Sequence, residues 1–161
     1  MSQNAIQPPV LSLQGRFNRL TFLGWNCLLL ITNLLMGLIF ISFMPNTIDA
    51  IFRNANSFIV QAVFIIPNII FFTFILLFSI KRLHDINLTA WLAFLELIPF
   101  VNLLFFIFLV CMPGTEGDNK YGIPRATQTW ESVLAVIFIL LLVIILVLFS
   151  NALLGILSLS L

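Results

Sequence analysis

Charge is what this chain has least of. Its 161 residues include seven Lys and Arg and six Asp and Glu, only 8% charged in all, where a soluble domain has roughly a quarter. So few ionic side chains cannot coat a water-soluble protein of this size, so lipid must cover it. The net charge of +1 leaves no basic excess for nucleic acid and no acidic tail. Cys27 and Cys111 are the only cysteines. Both sit in apolar stretches without a Cys or His at ligand spacing, which marks them as small hydrophobes and not as a disulfide or metal pair. No cleavable signal peptide is expected, because residues 1–15 are uncharged and the first apolar stretch is too long for an h-region. No lipidation signal is expected either, with Ser2 at the start and no C-terminal prenylation box.

What is abundant is hydrocarbon. The chain is 61% hydrophobic, with 18 phenylalanines and a mean hydropathy of +1.17. A spanning helix needs about 20 apolar residues, and four segments reach that length. They run from about Thr21 to Met44, Ser57 to Ile80, Thr89 to Met112, and Glu131 onward, the last with an unbroken apolar run from Val133 to Phe149. The first should stop at Pro45-Asn46, and the second contains Pro67-Asn68. The fold class is therefore all-α: a polytopic integral membrane protein with four hydrophobic helical segments, the third kinked or re-entrant at Pro99. Around it, residues 1–14 read as a polar tail, 15–124 as the membrane domain, and 125–161 as a C-terminal hydrophobic helix with an uncharged tail. The Val133–Phe149 run has no polar face and should meet lipid all round. Extended to Leu161 it would be about 43 Å long, so it should tilt, break near Ser150-Asn151 or Gly155, or lie at the interface.

The third segment has two readings because of the basic residues. Cytoplasmic loops hold the excess of Lys and Arg. If all four segments span with the N-terminus inside, Arg16, Arg19, Lys81 and Arg82 are inside, against Arg53, Lys120 and Arg125 outside. That bias is weak. If Pro99, which removes a helix donor, turns the third segment back on itself, only Arg53 is outside. Re-entrant backbone survives at membrane depth only under protein cover, so this second reading favours a homo-oligomer. The other reading is a kinked, continuous span.

Three polar stretches are more organised than loops require. In Gly15-Arg16-Phe17-Asn18-Arg19-Leu20-Thr21-Phe22, a helical start would put Arg16 and Arg19 on one face, as an interfacial anchor. Lys81-Arg82-Leu83-His84-Asp85 follows the second helix, where cations complement the C-terminal dipole. His84, the only histidine, would serve beside Asp85 as an acid, a base or a structural partner. Adjacent residues rarely face each other on a helix, and no nucleophile lies nearby. Pro113 to Pro124, with Gly114, Thr115, Gly117, Asn119, Lys120, Tyr121 and Gly122 between, is a tight glycine loop. Its backbone N–H groups would suit an anion; otherwise it is a compact turn that ends a helix.

In this order, the three stretches resemble the DUF805 family of small bacterial inner-membrane proteins. The resemblance rests on Gly15, Arg16, Arg19 and Phe22; on Arg82, Leu83, His84 and Asp85; and on Pro113, Gly114, Thr115, Gly117, Asn119, Tyr121 and Gly122. It departs at Lys81, where the family has Arg, and at Asn87 to Leu92. It implies a class and a location but no mechanism, since the family name records an unknown function. It covers roughly residues 15–124, so the fourth segment stands beyond it.

Three function classes follow. The first is a non-enzymatic inner-membrane protein whose polar motifs pack its own helices or contact a partner or a lipid headgroup, with the N-terminus cytoplasmic. The motif residues for that role are Gly15, Arg16, Arg19, Arg82, His84, Asp85, Gly114, Thr115, Gly117, Asn119, Tyr121 and Gly122. The second is an oligomeric small transporter or channel using Glu96, since ionisable groups in a membrane segment are functional candidates. The third is a membrane enzyme using His84 and Asp85. It lacks a metal-ligand cluster, a nucleophile elbow and a P-loop, and no cofactor is expected.

Overall fold

The computed structural model describes residues 9–43, 53 and 58–159, the side chains of 43, 59, 60, 63, 64, 157 and 159 excepted. The expected stop at Pro45-Asn46 lies outside the described residues. Helix α1 spans Arg19–Phe43, α2 Phe58–Asp85, α3 Val101–Cys111 and α4 Thr129–Leu159, with a 3-10 helix at Ala90–Leu97 before α3. No strand occurs among the described residues beyond a single bridge between Asn119 and Gly122. The chain is all-α, and α1, α2 and α4 are long and apolar enough to cross a membrane.

Each helix end has a local cause. Asn18 caps α1, its Oδ1 accepting the Thr21 backbone N–H at 2.9 Å. In α4 the Glu131 carboxylate accepts the Gln128 N–H at 3.0 Å, the reciprocal half of a capping box. Helix α2 runs five residues past its expected end at Ile80. Lys81 to Asp85 therefore forms its last turn and does not follow it. Leu83, fully buried, continues the apolar face, and Arg82 and His84 sit at the negative pole of the helix.

Two buried clusters organise the packing. One joins Phe17, Phe22, Phe78, Leu83, Ala93, Phe105 and Leu109; the other joins Leu23 and Cys27 of α1 to Ala135 and Phe138 of α4. The early turns of α1 thus meet the early turns of α4, and the two helices leave from the same end. Gly24 sits at their crossing, where an added Cβ would stand 2.4 Å from the Glu131 carbonyl oxygen. The α4 helix is accordingly not lipid-facing all round. Nor does it break: it continues to Leu159, and the Ser150 hydroxyl bonds back to the Val147 carbonyl at 2.8 Å within the helix.

The third apolar segment is a hairpin and not one kinked helix. Its first arm is the 3-10 helix, whose residues three apart eclipse: Trp91, Phe94 and Leu97 are exposed, whereas Ala93 and Glu96 are buried. The turn passes Pro99 and Phe100, the latter at φ 68°, and α3 returns. Each arm is roughly 16 Å long. The hairpin starts just after Asp85, and at its far end Thr115 bonds the Asp85 carbonyl at 2.8 Å through its N–H and 3.0 Å through its hydroxyl. Both ends therefore sit at the same end of α2.

Candidate functional site

The end of the molecule where α1 and α4 begin, α2 ends and the hairpin opens gathers nearly all of the polar motif residues. Asp85 is the centre. Its Oδ1 accepts from Arg16 Nε at 3.1 Å and lies 3.0 Å from Arg16 Nη2; its Oδ2 accepts from Arg82 Nη1 at 2.5 Å. Gly114 leaves the room this needs, since a Cβ there would fall 2.1 Å from Asp85 Oδ2.

Arg16 is 2% exposed. Its Nη1 donates to the Gly117 carbonyl at 2.7 Å and the Gly122 carbonyl at 3.1 Å, and its Nη2 to the Thr115 carbonyl at 2.6 Å. With the Nε–Asp85 bond, each of the three guanidinium nitrogens has an acceptor inside the protein. Gly117 and Gly122, at φ 69° and 112°, take left-handed backbone that turns these carbonyls inward. The loop therefore presents carbonyls to a cation, not N–H groups to an anion, and that cation is the chain's own arginine.

Arg82, fully buried, serves the hairpin. It donates through Nε to the Leu109 carbonyl at 2.8 Å, through Nη2 to the Met112 carbonyl, and through Nη1 to the Phe17 carbonyl at 3.4 Å. The first two belong to the last turn and cap of α3, whose orphan carbonyls need donors. Two arginines share one carboxylate here, and the negative poles of α2 and α3 offset the remaining positive charge.

His84 and Asp85 point apart, so they form no acid–base pair. The His84 ring lies 3.3 Å from the Gly15 carbonyl through Nδ1 and stacks on Tyr121 with centroids 3.7 Å apart. Asn119 joins the two sides: its Nδ2 donates to the His84 carbonyl at 2.9 Å and to Thr115 Oγ1 at 2.8 Å. Lys81, 2% exposed, donates to the Pro9 carbonyl at 2.8 Å and sits 4.9 Å from the Phe17 ring centroid. Arg19 lies outside the cluster. The helix begins at Arg19, so Arg16 stands in irregular chain before it, with the Phe17 N–H bonded to the Lys81 carbonyl. The two arginines therefore share no face: Arg16 turns in and Arg19 is exposed.

A second polar knot escaped the sequence reading. Glu131, fully buried, accepts from Trp25 Nε1 at 2.8 Å, Thr21 Oγ1 at 3.0 Å and Arg125 Nη2 at 2.6 Å. Asn18 extends it, donating to the Arg125 carbonyl at 3.2 Å and to Thr127 Oγ1. The one available signal was the spacing of Gln128 and Glu131, which suits a helix cap. Glu96 stands apart from both clusters, buried in the hairpin, its Oε1 accepting from Ser79 Oγ at 3.0 Å.

The DUF805 family, described as a protein of unknown function, matches residues 10–123. The chain is similar to the inner membrane protein YhaH of Escherichia coli K12, 48% identical over 42 residues, which are 26% of this chain and 35% of that protein. It is also similar to the inner membrane protein YhaI of the same strain, 38% identical over 48 residues, 30% of this chain and 41% of that protein. The chain thus spans well under half the length of these relatives. No solved structure matches it. The family match takes in Arg16, Asp85 and the glycine loop that Arg16 fills, and the chain belongs to the DUF805 family of proteins of unknown function.

Proposed function

We propose that the chain is a non-enzymatic inner-membrane module whose three motifs form a clasp that holds a re-entrant hairpin in the cytoplasmic half of the bilayer. The observation that carries this reading is the engagement of Arg16, whose three nitrogens all donate to the chain's own carbonyls and carboxylate. A buried group held in this way is turned inward, away from a substrate or headgroup. The hairpin arms, each roughly 16 Å, match half of a hydrocarbon core about 30 Å thick.

The orientation follows from charge and tryptophan. Arg16, Arg19, Lys81, Arg82, Lys120 and Arg125 lie at the clasp end, and Arg53 lies between α1 and α2. That asymmetry supports a cytoplasmic clasp. All three tryptophans support an interface there: Trp25 and Trp130 pack edge to face at 5.2 Å, and Trp91 opens the hairpin with 79% exposure. In this reading α1, α2 and α4 cross, with the N-terminus inside and the far end of α4 outside.

Loop accessibility tests this. With Cys27 and Cys111 replaced, a cysteine at exposed Asp118 should resist a membrane-impermeant thiol reagent in intact cells and react once the membrane is opened. Cysteines at Ser2 and Asn54 calibrate the two sides. Labelling of position 118 in intact cells would defeat the re-entrant topology.

Glu96 fits the same reading as the latch between hairpin and α2. Glu96→Gln keeps a carbonyl oxygen for Ser79 and should cost no more than about 1 kcal/mol. Glu96→Leu strands the hydroxyl and should cost about 1–3 kcal/mol, read by thermal unfolding in detergent. A carrier using this carboxylate would instead lose activity in Glu96→Gln at unchanged stability.

A further inference from the structure

The hairpin fills only the clasp half of the bundle, and beyond it α1 and α2 leave a cleft of about 320 Å³ lined by Asn33, Gly37, Phe40, Pro67 and Asn68 among others. Asn33 lies eight residues past Trp25 on α1, about 12 Å deeper and so near the middle of the hydrocarbon core. Its side chain is exposed and has no hydrogen-bond partner among the described residues. Acyl chains offer neither donor nor acceptor, so an amide left facing them is costly. One turn further, Gly37 has nothing within 4 Å of an added Cβ. A second backbone can therefore approach closely there, as small residues permit between membrane helices.

We propose that this face of α1 binds α1 of a second copy of the chain, pairing Asn33 with Asn33 beside Gly37. An amide carries both donors and an acceptor, so it complements itself. Two copies inserted with the same orientation are related by a two-fold axis along the membrane normal. That axis runs the two α1 helices parallel and sets the two Asn33 side chains at the same depth. A lipid tail would fill the cleft without satisfying the Asn33 amide, and a heterologous helix would need a polar group at this one level. The interface lies near the middle of the membrane, past the hairpin, and shares no residue with the clasp.

Energy transfer between donor- and acceptor-labelled copies of the full chain in phospholipid vesicles, followed against protein-to-lipid ratio, tests the proposal. The native chain should associate as a pair. Asn33→Leu should weaken association about tenfold, with thermal unfolding unchanged because the residue faces outward, and Asn33→Gln should retain it. Gly37→Ile should also weaken it, through bulk alone, as a check should Asn33→Leu disturb the fold. Native-like association in both Asn33→Leu and Gly37→Ile, or a monomer at every ratio, would overturn the proposal.

Discussion

Arg16→Met should destabilise the protein by about 3–5 kcal/mol, the range for removing one partner of a buried ion pair. The loss goes beyond one contact with Asp85. The carbonyls of Thr115 and Gly117 lose the arginine together, and that of Gly122 keeps only the Asn119 N–H. Arg16→Lys keeps the charge but presents it as a point and not a planar fork, so it should recover only part of the loss. Arg19→Met, three residues away in the same motif, should stay within about 0.5 kcal/mol of the native chain, because Arg19 is exposed. Denaturant titration in detergent micelles, followed by tryptophan fluorescence, reports all three. Equal stability of Arg16→Met and Arg19→Met would falsify the clasp.

Gly24→Ala should destabilise by about 2 kcal/mol although alanine is the better helix former. Propensity alone favours alanine by up to about 1 kcal/mol. Against that, the new methyl would meet the Glu131 carbonyl oxygen at 2.4 Å, about 1 Å inside ordinary contact. The obstacle is backbone, so no side chain can rotate away, and relief requires α1 and α4 to separate. Overpacking of this kind costs about 1–3 kcal/mol, and separation also loosens Glu131 from Thr21 and Trp25. Gly155→Ala is the control, with nothing within 4 Å of its Cβ; it should be neutral or mildly stabilising in the same thermal unfolding experiment. A stabilised Gly24→Ala would mean that the two helices do not cross here.

Both predictions concern residues whose importance could be read only in part from the chain. Hydropathy and segment length placed α1, α2 and α4 to within a few residues, apart from the longer end of α2. They also identified Pro99 as the break in the third segment while leaving both a kinked span and a turn-back open. Arg16 and Arg19 looked equivalent three residues apart. What separated them was where α1 begins, and that depends on Asn18 capping Thr21 and on Phe17 bonding Lys81 across the bundle. Gly24, Arg125 and Trp25 carried no warning at all, being an ordinary glycine, a loop cation and an interfacial aromatic.

The amino-acid sequence by itself determined that lipid surrounds this protein, that its segments are helical, and which motifs carry its few polar groups. These are local properties, set by about 20 consecutive side chains at a time. The tertiary structure alone decided that Asp85 takes two arginines, one of them 69 residues distant, that the glycine loop closes around Arg16, and that the third segment returns to its starting point. A buried charge is held only by partners brought to it from elsewhere in the chain, and no local pattern of hydropathy or spacing names those partners.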